Sequence, residues 1–283
     1  MNNISIAKET MAITKSKEYE LDGQVISLPE IDYEEVSLIS PEDGEKLLKA
    51  DMDALYEQGK GTLEESKEHK MCKISITTED SFQAGRRYDK VLVMNFANAH
   101  CPGGGFRFGA NAQEEALCRC STLYASITSK KASKMYLYNN THLGRVESDY
   151  MLISPNVCVF RDEKYHLLKE PVVLGVVTIA APNRYGAALV ASEILVRETM
   201  MRRIRIMLRV AIKDGYRNLV LGAWGCGAFG NKPDQVSEYF KEILVTEGYG
   251  RYFDEICFAI YGAEDGKNIT AFRECFHQYL TEN

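Results

Sequence analysis

The apolar positions fall into distinct textures along the chain. Up to about residue 70 they are sparse and set at helical intervals. A first helix is expected near Ile6–Thr14, and a second from about Pro41 to Gln58 with Ser40 as its N-cap and Leu47, Leu48, Met52 and Leu55 on one face. Between them, the segment from Tyr19 to Ile26 reads as a hairpin, because Asp22-Gly23 accepts the positive φ values of a two-residue turn. Residues 59–70, GKGTLEESKEHK, read as a surface connection. From about Cys72 the texture changes. Continuous apolar runs at 72–77, 90–96, 151–153, 172–180, 218–223 and 255–261 predict buried strands. Helical periodicity marks about 113–129, 190–213, 234–246 and 269–280, with Gly215 placed to stop the helix of 190–213. This alternation predicts an α/β fold, a parallel or mixed sheet with helices on both faces. The expected division is an accessory, mainly helical N-terminal segment at 1–70 packed on a main domain at 71–283.

Composition narrows the function classes. With 283 residues, 45% of them apolar, the chain can bury a full core, and its formal charge of −6 disfavours broad electrostatic binding to nucleic acid. A phosphate-bearing small ligand stays open, since backbone N–H groups and helix N-termini bind it without net positive charge. The opening MNNISIAKETMAITKSKEYEL has no secretory pattern, and no run approaches a membrane span, so a cytoplasmic protein without membrane association is expected. Eight cysteines lie scattered without a CxxC pair and read as small buried hydrophobes. Cys118 and Cys120, two apart in a helical pattern, project about 200° from one another and cannot readily share a metal. No metal site and no cofactor are expected.

The chemistry concentrates in two glycine-rich loops. In the first, a strand ending in Asn95 and Asn98 leads into Gly103-Gly104-Gly105, then a helix opening with Gln113-Glu114-Glu115. Asn98 offers a donor and an acceptor to ligand hydroxyls, and three glycines let backbone approach a ligand closely. The helix dipole alone would favour two acids in a first turn. The second loop, Gly225-Cys226-Gly227-Ala228-Phe229-Gly230, also follows a strand and precedes a helix, and α/β sheets bind ligands at the carboxyl ends of their strands. Its G-x-G-x-x-G spelling does not make it a dinucleotide fingerprint. Pro233 puts all three glycines ahead of the helix, and the acid expected about 20 residues on is missing. Elsewhere, His100 reads as a loop-packing or solvent-facing residue, Trp224 as core, and Arg202-Arg203-Ile204-Arg205 as a solvated helix face; no role is assigned to Asp80.

Three glycines, seven residues and then Gln-Glu-Glu, in a strand–loop–helix setting, resemble the signature of the poly(ADP-ribose) glycohydrolase family, in its compact microbial branch. Gly225–Gly230 looks like that family's diphosphate loop, Ser154–Arg161 resembles a stretch between the two loops, and Ile6–Thr10 is similar to the branch's N-terminal helix. The resemblance implies a three-layer macrodomain-like fold and a metal-independent glycosidase that cleaves ribose–ribose O-glycosidic bonds to release ADP-ribose. Glu115 would then be the general acid and base, Glu114 would hold a ribose hydroxyl, Gln113 would support the site, and Phe229 would pack on the terminal ribose. Asn98 would contact a ribose, and both loops would bind ligand. The implied partners are ADP-ribose or its polymer and ADP-ribosylated proteins. A mono-ADP-ribosyl hydrolase and a non-catalytic ADP-ribose reader are the alternatives, and the acid pair favours an enzyme. Consecutive helical residues point about 100° apart. Glu114 and Glu115 therefore cannot flank a bond from opposite sides as an ordinary glycosidase pair does.

Overall fold

The computed structural model describes residues 2–60 and 71–280. In chain order the elements begin α1 (Asn3–Ser16), β1 (Glu18–Leu21), β2 (Gln24–Ser27), β3 (Ser37–Ile39), α2 (Pro41–Lys49), α3 (Met52–Lys60), β4 (Lys73–Thr77), α4 (Ser81–Gly85) and β5 (Val91–Phe96). They continue α5 (Gln113–Cys120), α6 (Leu123–Ile127), α7 (Ser133–Thr141), β6 (Met151–Arg161), β7 (Leu167–Ile179) and α8 (Glu193–Lys213). The last are β8 (Asn218–Leu221), α9 (Pro233–Lys241), β9 (Glu255–Ala259) and α10 (Lys267–Phe276). Two compact units divide them: residues 1–39, 93–143 and 150–180 form one, and residues 40–92, 144–149 and 181–283 the other.

In the first unit the strands run β3-β6-β7-β5, with β3–β6 and β6–β7 antiparallel. The β1–β2 hairpin turns on Asp22 and Gly23, both at positive φ (53° and 76°), as the two-residue turn requires. Its Tyr19 packs with Ile13, Leu28, Cys158 and Phe160 in a buried cluster. The helix expected over 113–129 is broken at Ser121, which is fully extended (φ −152°, ψ 179°). The reason lies in β6. Register shifts after Ser154 and Val159 interrupt its pairing with β7. Between the shifts Cys158 stays in register with Val173 of β7 and also exchanges hydrogen bonds with Thr122, so a fragment of strand interrupts the helix.

In the second unit β8-β9-β4 are parallel throughout, and α2 and α3 pack on α8. Ser40 caps α2 in a full capping box with Asp43. The single helix expected over 41–58 is two, because Ala50 turns extended and Asp51 accepts the N–H of Ala54 to start a new one. Gly215 (φ 78°) ends α8 as expected. The arginines of α8 are not a solvated face. Arg203 is buried on Asp149 (2.9 Å) and the Val146 carbonyl (2.6 Å), Arg202 pairs with Asp149 and Glu45, and Arg205 pairs with Glu247. Helical periodicity puts Arg202 and Arg205 on one side of α8 but cannot reveal acids brought from distant segments. Of the stretch 59–70, Gly59 and Lys60 end α3 and the rest lies outside the described residues. No described helix is long and apolar enough to cross a membrane.

Candidate active site

The first unit gathers Asn95, Asn98, the glycine triplet, Gln113, Glu114 and Glu115 into one hydrogen-bonded centre. Gln113 docks the start of α5 on the end of β5: its Oε1 accepts the Phe96 N–H (2.8 Å) and its Nε2 donates to the Met94 carbonyl (2.8 Å). Its amide therefore serves the scaffold. That anchoring points Glu114 inward, where it is buried with one oxygen accepting from Asn98 N–H (2.8 Å) and the other from Gly103 N–H (3.2 Å) and Asn95 Nδ2 (3.3 Å). Burial pushes its carboxyl up to about 8; the donors from Asn98, Asn95 and Gly103 only partly offset this, and the neighbouring charge of Glu115 adds to it. Glu114 is thus largely protonated at neutral pH.

Glu115 is also buried, its Oε1 accepting Gly105 N–H (2.9 Å) and its Oε2 reaching back to the Ala112 N–H (3.1 Å). Each oxygen keeps a further lone pair. Gly104 sits between the two acids at φ +53°. A Cβ there would stand 2.4 Å from Glu115 Oε1 and 3.5 Å from Glu114 Oε2, so only glycine leaves the space open. The N–H groups of the triplet serve the protein itself, those of Gly103 and Gly105 on the two glutamates and that of Gly104 on the Cys101 carbonyl. Asn98 folds its Oδ1 onto the N–H groups of His100 and Cys101 (2.9 Å each), while its Nδ2 has no acceptor among the described residues. His100 packs its loop on α7 through Asn140, as its position suggested.

The second glycine loop lies in the second unit, at the carboxyl end of β8. Trp224 is fully buried before it, in the core. Gly225 (φ 74°) leaves no room for a side chain: its Cβ would strike Asn231 Nδ2 at 2.5 Å and Ala181 Cβ at 2.7 Å. Asn231 ties the loop off by donating to the carbonyls of Pro182 (2.9 Å) and Gly225 (3.2 Å). Gly227 and Ala228 are exposed, and the N–H groups of Gly227, Ala228 and Phe229 have no acceptor among the described residues. Successive unspent N–H groups of this kind form an anion-binding concavity. Burial raises the Cys226 thiol to about 12, so it stays neutral. Phe229 is half-buried, its carbonyl held by Arg184 N–H (2.8 Å). Asp80 caps α4 by accepting from Phe82 and Gln83. Among the described residues no three His, Cys, Asp or Glu are grouped to hold a metal ion.

Two residues of the centre escaped the motif reading. Asn95 is fully buried and bonds both Glu114 and Thr178 (3.2 Å). Arg119 stands one helical turn beyond Glu115 but bonds Ala110 and Asn111 ahead of α5, which its helical spacing does not signal.

Fold and centre together define a glycosidase of macrodomain-like architecture. The chain belongs to the microbial-type poly(ADP-ribose) glycohydrolase family, whose catalytic-domain model (microbial-type PARG, catalytic domain) matches residues 7–162. It is similar over 97% of its length to the crystal structure of poly(ADP-ribose) glycohydrolase from Thermomonospora curvata, with 34% identity, 99% of that chain covered and a TM-score of 0.84. The same enzyme bound to the inhibitor ADP-HPD gives 34% identity over 96% of this chain and 98% of that one, with a TM-score of 0.81. Poly(ADP-ribose) glycohydrolase from Deinococcus radiodurans in complex with ADP-ribose is 36% identical, over 86% of this chain and 95% of that chain, with a TM-score of 0.74. No curated protein matches the sequence.

Proposed function

We propose that this poly(ADP-ribose) glycohydrolase releases ADP-ribose by acid–base catalysis at Glu115. Protonated Glu115 gives its proton to the leaving ribose oxygen as the C1–O bond breaks. The resulting carboxylate then takes a proton from the water that attacks C1, which restores the acid and leaves a free hydroxyl on each sugar. One group serves both steps because Glu114 and Glu115 are consecutive on α5 and cannot face the bond from opposite sides. Neutral Glu114 and the spare Nδ2 of Asn98 would position ribose hydroxyls. In the second unit, the unspent N–H groups of Gly227, Ala228 and Phe229 are suited to take a diphosphate. The glycine triplet contributes differently, by holding the glutamates and leaving open the space at Gly104.

The observation that carries this reading is the grip of Gly105 and Ala112 on Glu115 beside a glycine whose missing side chain leaves room for the sugar. ADP-ribosylated proteins would be the partners that carry such a polymer. Purified protein assayed against poly(ADP-ribose) and against mono-ADP-ribosylated proteins tests the assignment. Release of ADP-ribose from polymer, with the protein-linked residue left in place, is expected. Release only of the protein-linked unit would assign mono-ADP-ribosyl hydrolysis instead.

A further inference from the structure

Both oxygens of Glu115 are gripped by N–H groups at the two ends of one loop, Gly105 before it and Ala112 closing it. That loop is largely exposed, with Phe108 82% exposed at its crest; buried Phe106, a 3-10 turn at Phe106–Phe108 and an Ala110 N–H to Gly105 carbonyl bond (3.2 Å) order its first half. What fixes its second half comes from behind. Arg119, fully buried on α5, donates from Nη1 to the Ala110 carbonyl and from Nη2 to Asn111 Oδ1, each at 2.7 Å. Tyr165 donates its hydroxyl to the same Asn111 oxygen (3.2 Å) and lays its ring 5.2 Å from the Arg119 guanidinium.

Helix α1 seats this assembly. Thr10 Oγ1 donates to the Arg119 carbonyl (2.7 Å) and accepts from Arg161 Nε (3.3 Å). Arg161 in turn pairs with Glu9 (2.5 Å) and donates to the Tyr165 carbonyl (2.8 Å). At the helix start, Asn3 Nδ2 donates to the Gly109 carbonyl (3.1 Å).

The hydrogen-bond acceptors of Arg119 among the described residues are neutral, one carbonyl and one amide oxygen. Burying a guanidinium without a carboxylate is costly, and a well-packed apolar side chain of similar volume would stabilise the fold at least as well. The arginine is therefore placed for geometry. We infer that Arg119, seated by α1 through Thr10, is a positioning residue that sets the 106–112 loop and through it the reach of the Glu115 carboxyl. The inference rests on Glu115 being the acid/base, and it gives α1 a part in the reaction.

The test compares Asn111→Ala, Arg119→Lys, Arg119→Met and Glu115→Gln with wild type. The measurements are kcat and KM on poly(ADP-ribose), Kd for ADP-ribose by calorimetry, and Tm. Asn111 is exposed, so its variant separates the brace from folding even if Arg119→Met does not fold. Misplacing a catalytic group by about an ångström costs on the order of 100-fold. Arg119→Met should approach that loss in kcat, Asn111→Ala should lose about tenfold, and Arg119→Lys should recover part of the rate through the Ala110 carbonyl. Kd for ADP-ribose should stay within about twofold in the Asn111 and Arg119 variants, since no atom assigned to the ligand has changed in them. Wild-type kcat in Asn111→Ala, with Glu115→Gln inactive, would overturn the brace and leave the catalytic assignment standing. Wild-type kcat in Glu115→Gln would instead remove the reading on which the brace rests.

Discussion

Gly104→Ala tests the geometry of the centre with the smallest possible change. The added methyl carbon would stand 2.4 Å from Glu115 Oε1 and 3.2 Å from its Cδ, so the carboxyl group has to retreat. Restoring van der Waals distance moves the oxygen by roughly an ångström. That breaks its 2.9 Å hydrogen bond from Gly105 and takes it off the line to the substrate oxygen. A displacement of about an ångström costs on the order of 100-fold in rate, which is about 2.7 kcal/mol of transition-state stabilisation. Backbone strain comes in addition, because alanine at φ +53° costs about 1–2 kcal/mol and lowers Tm by a few degrees. Gly23→Ala supplies the control. It carries the same left-handed strain at φ +76° but meets nothing within 4 Å, so it should lower Tm by a similar amount and leave turnover intact. The assay is steady-state hydrolysis of poly(ADP-ribose) with Tm measured on the same preparations. A Gly104→Ala enzyme with kcat within about threefold of wild type, and only a lower Tm, would refute the claim that the triplet sets the carboxyl of Glu115.

Glu114 titrates near 8 in the fold against an ordinary value of 4.5, so between those pH values the folded chain keeps a proton that the unfolded chain has lost. Its contribution to stability therefore declines as pH rises through that window and levels off above it, which thermal melts from pH 4 to 9 would detect. In Glu114→Gln that decline should vanish, while Tm below pH 5 should fall, because the amide NH₂ faces either the Asn98 or the Gly103 N–H however it turns; a pH profile unchanged from wild type would refute this. Phe229→Ala should cost on the order of 100-fold in kcat by misplacing the ribose, with the fold retained; lost stability with unchanged specific activity would assign Phe229 to the core. Activity should survive exhaustive chelation, since no metal-ligand group occurs among the described residues; loss on chelation with recovery on adding a divalent ion would contradict it.

The α/β alternation was legible because each strand of the sheet core is a near-continuous apolar run, and β4, β5, β8 and β9 fall within a residue or two of their expected starts. Short elements were not. β3 has three residues and α4 five, too few for a period to show, and α7 has almost no amphipathic contrast. The break at Ser121 depends on a partner in β6, which local pattern does not carry, and the one at Ala50 turns on the Asp51 cap, which the apolar spacing spans. In the site, order and spacing brought Gln113, Glu114 and Glu115 to the right place beside the triplet. What they did not disclose is the direction of the hydrogen bonds. The triplet reads in sequence as backbone brought close to a ligand, yet its N–H groups close on two glutamates and a carbonyl. The Gln113 amide is likewise spent on β5. Arg119 was hidden for the same reason, since a lone arginine in an amphipathic helix gives no hint of which distant carbonyl it will meet.

The central claim is that Glu115 gives and retakes the proton of the reaction. Glu115→Gln keeps the side chain's size but removes that proton, so the decisive measurement is turnover of poly(ADP-ribose) by this variant alongside calorimetric titration with ADP-ribose. General acid–base catalysis contributes about 10²–10⁴-fold, and a group serving both steps should show at least the lower end of that loss. Turnover by Glu115→Gln should therefore fall by about two orders of magnitude or more, with ADP-ribose still bound through the loop of Gly225–Gly230. A variant that turns over polymer at the wild-type rate would contradict the claim.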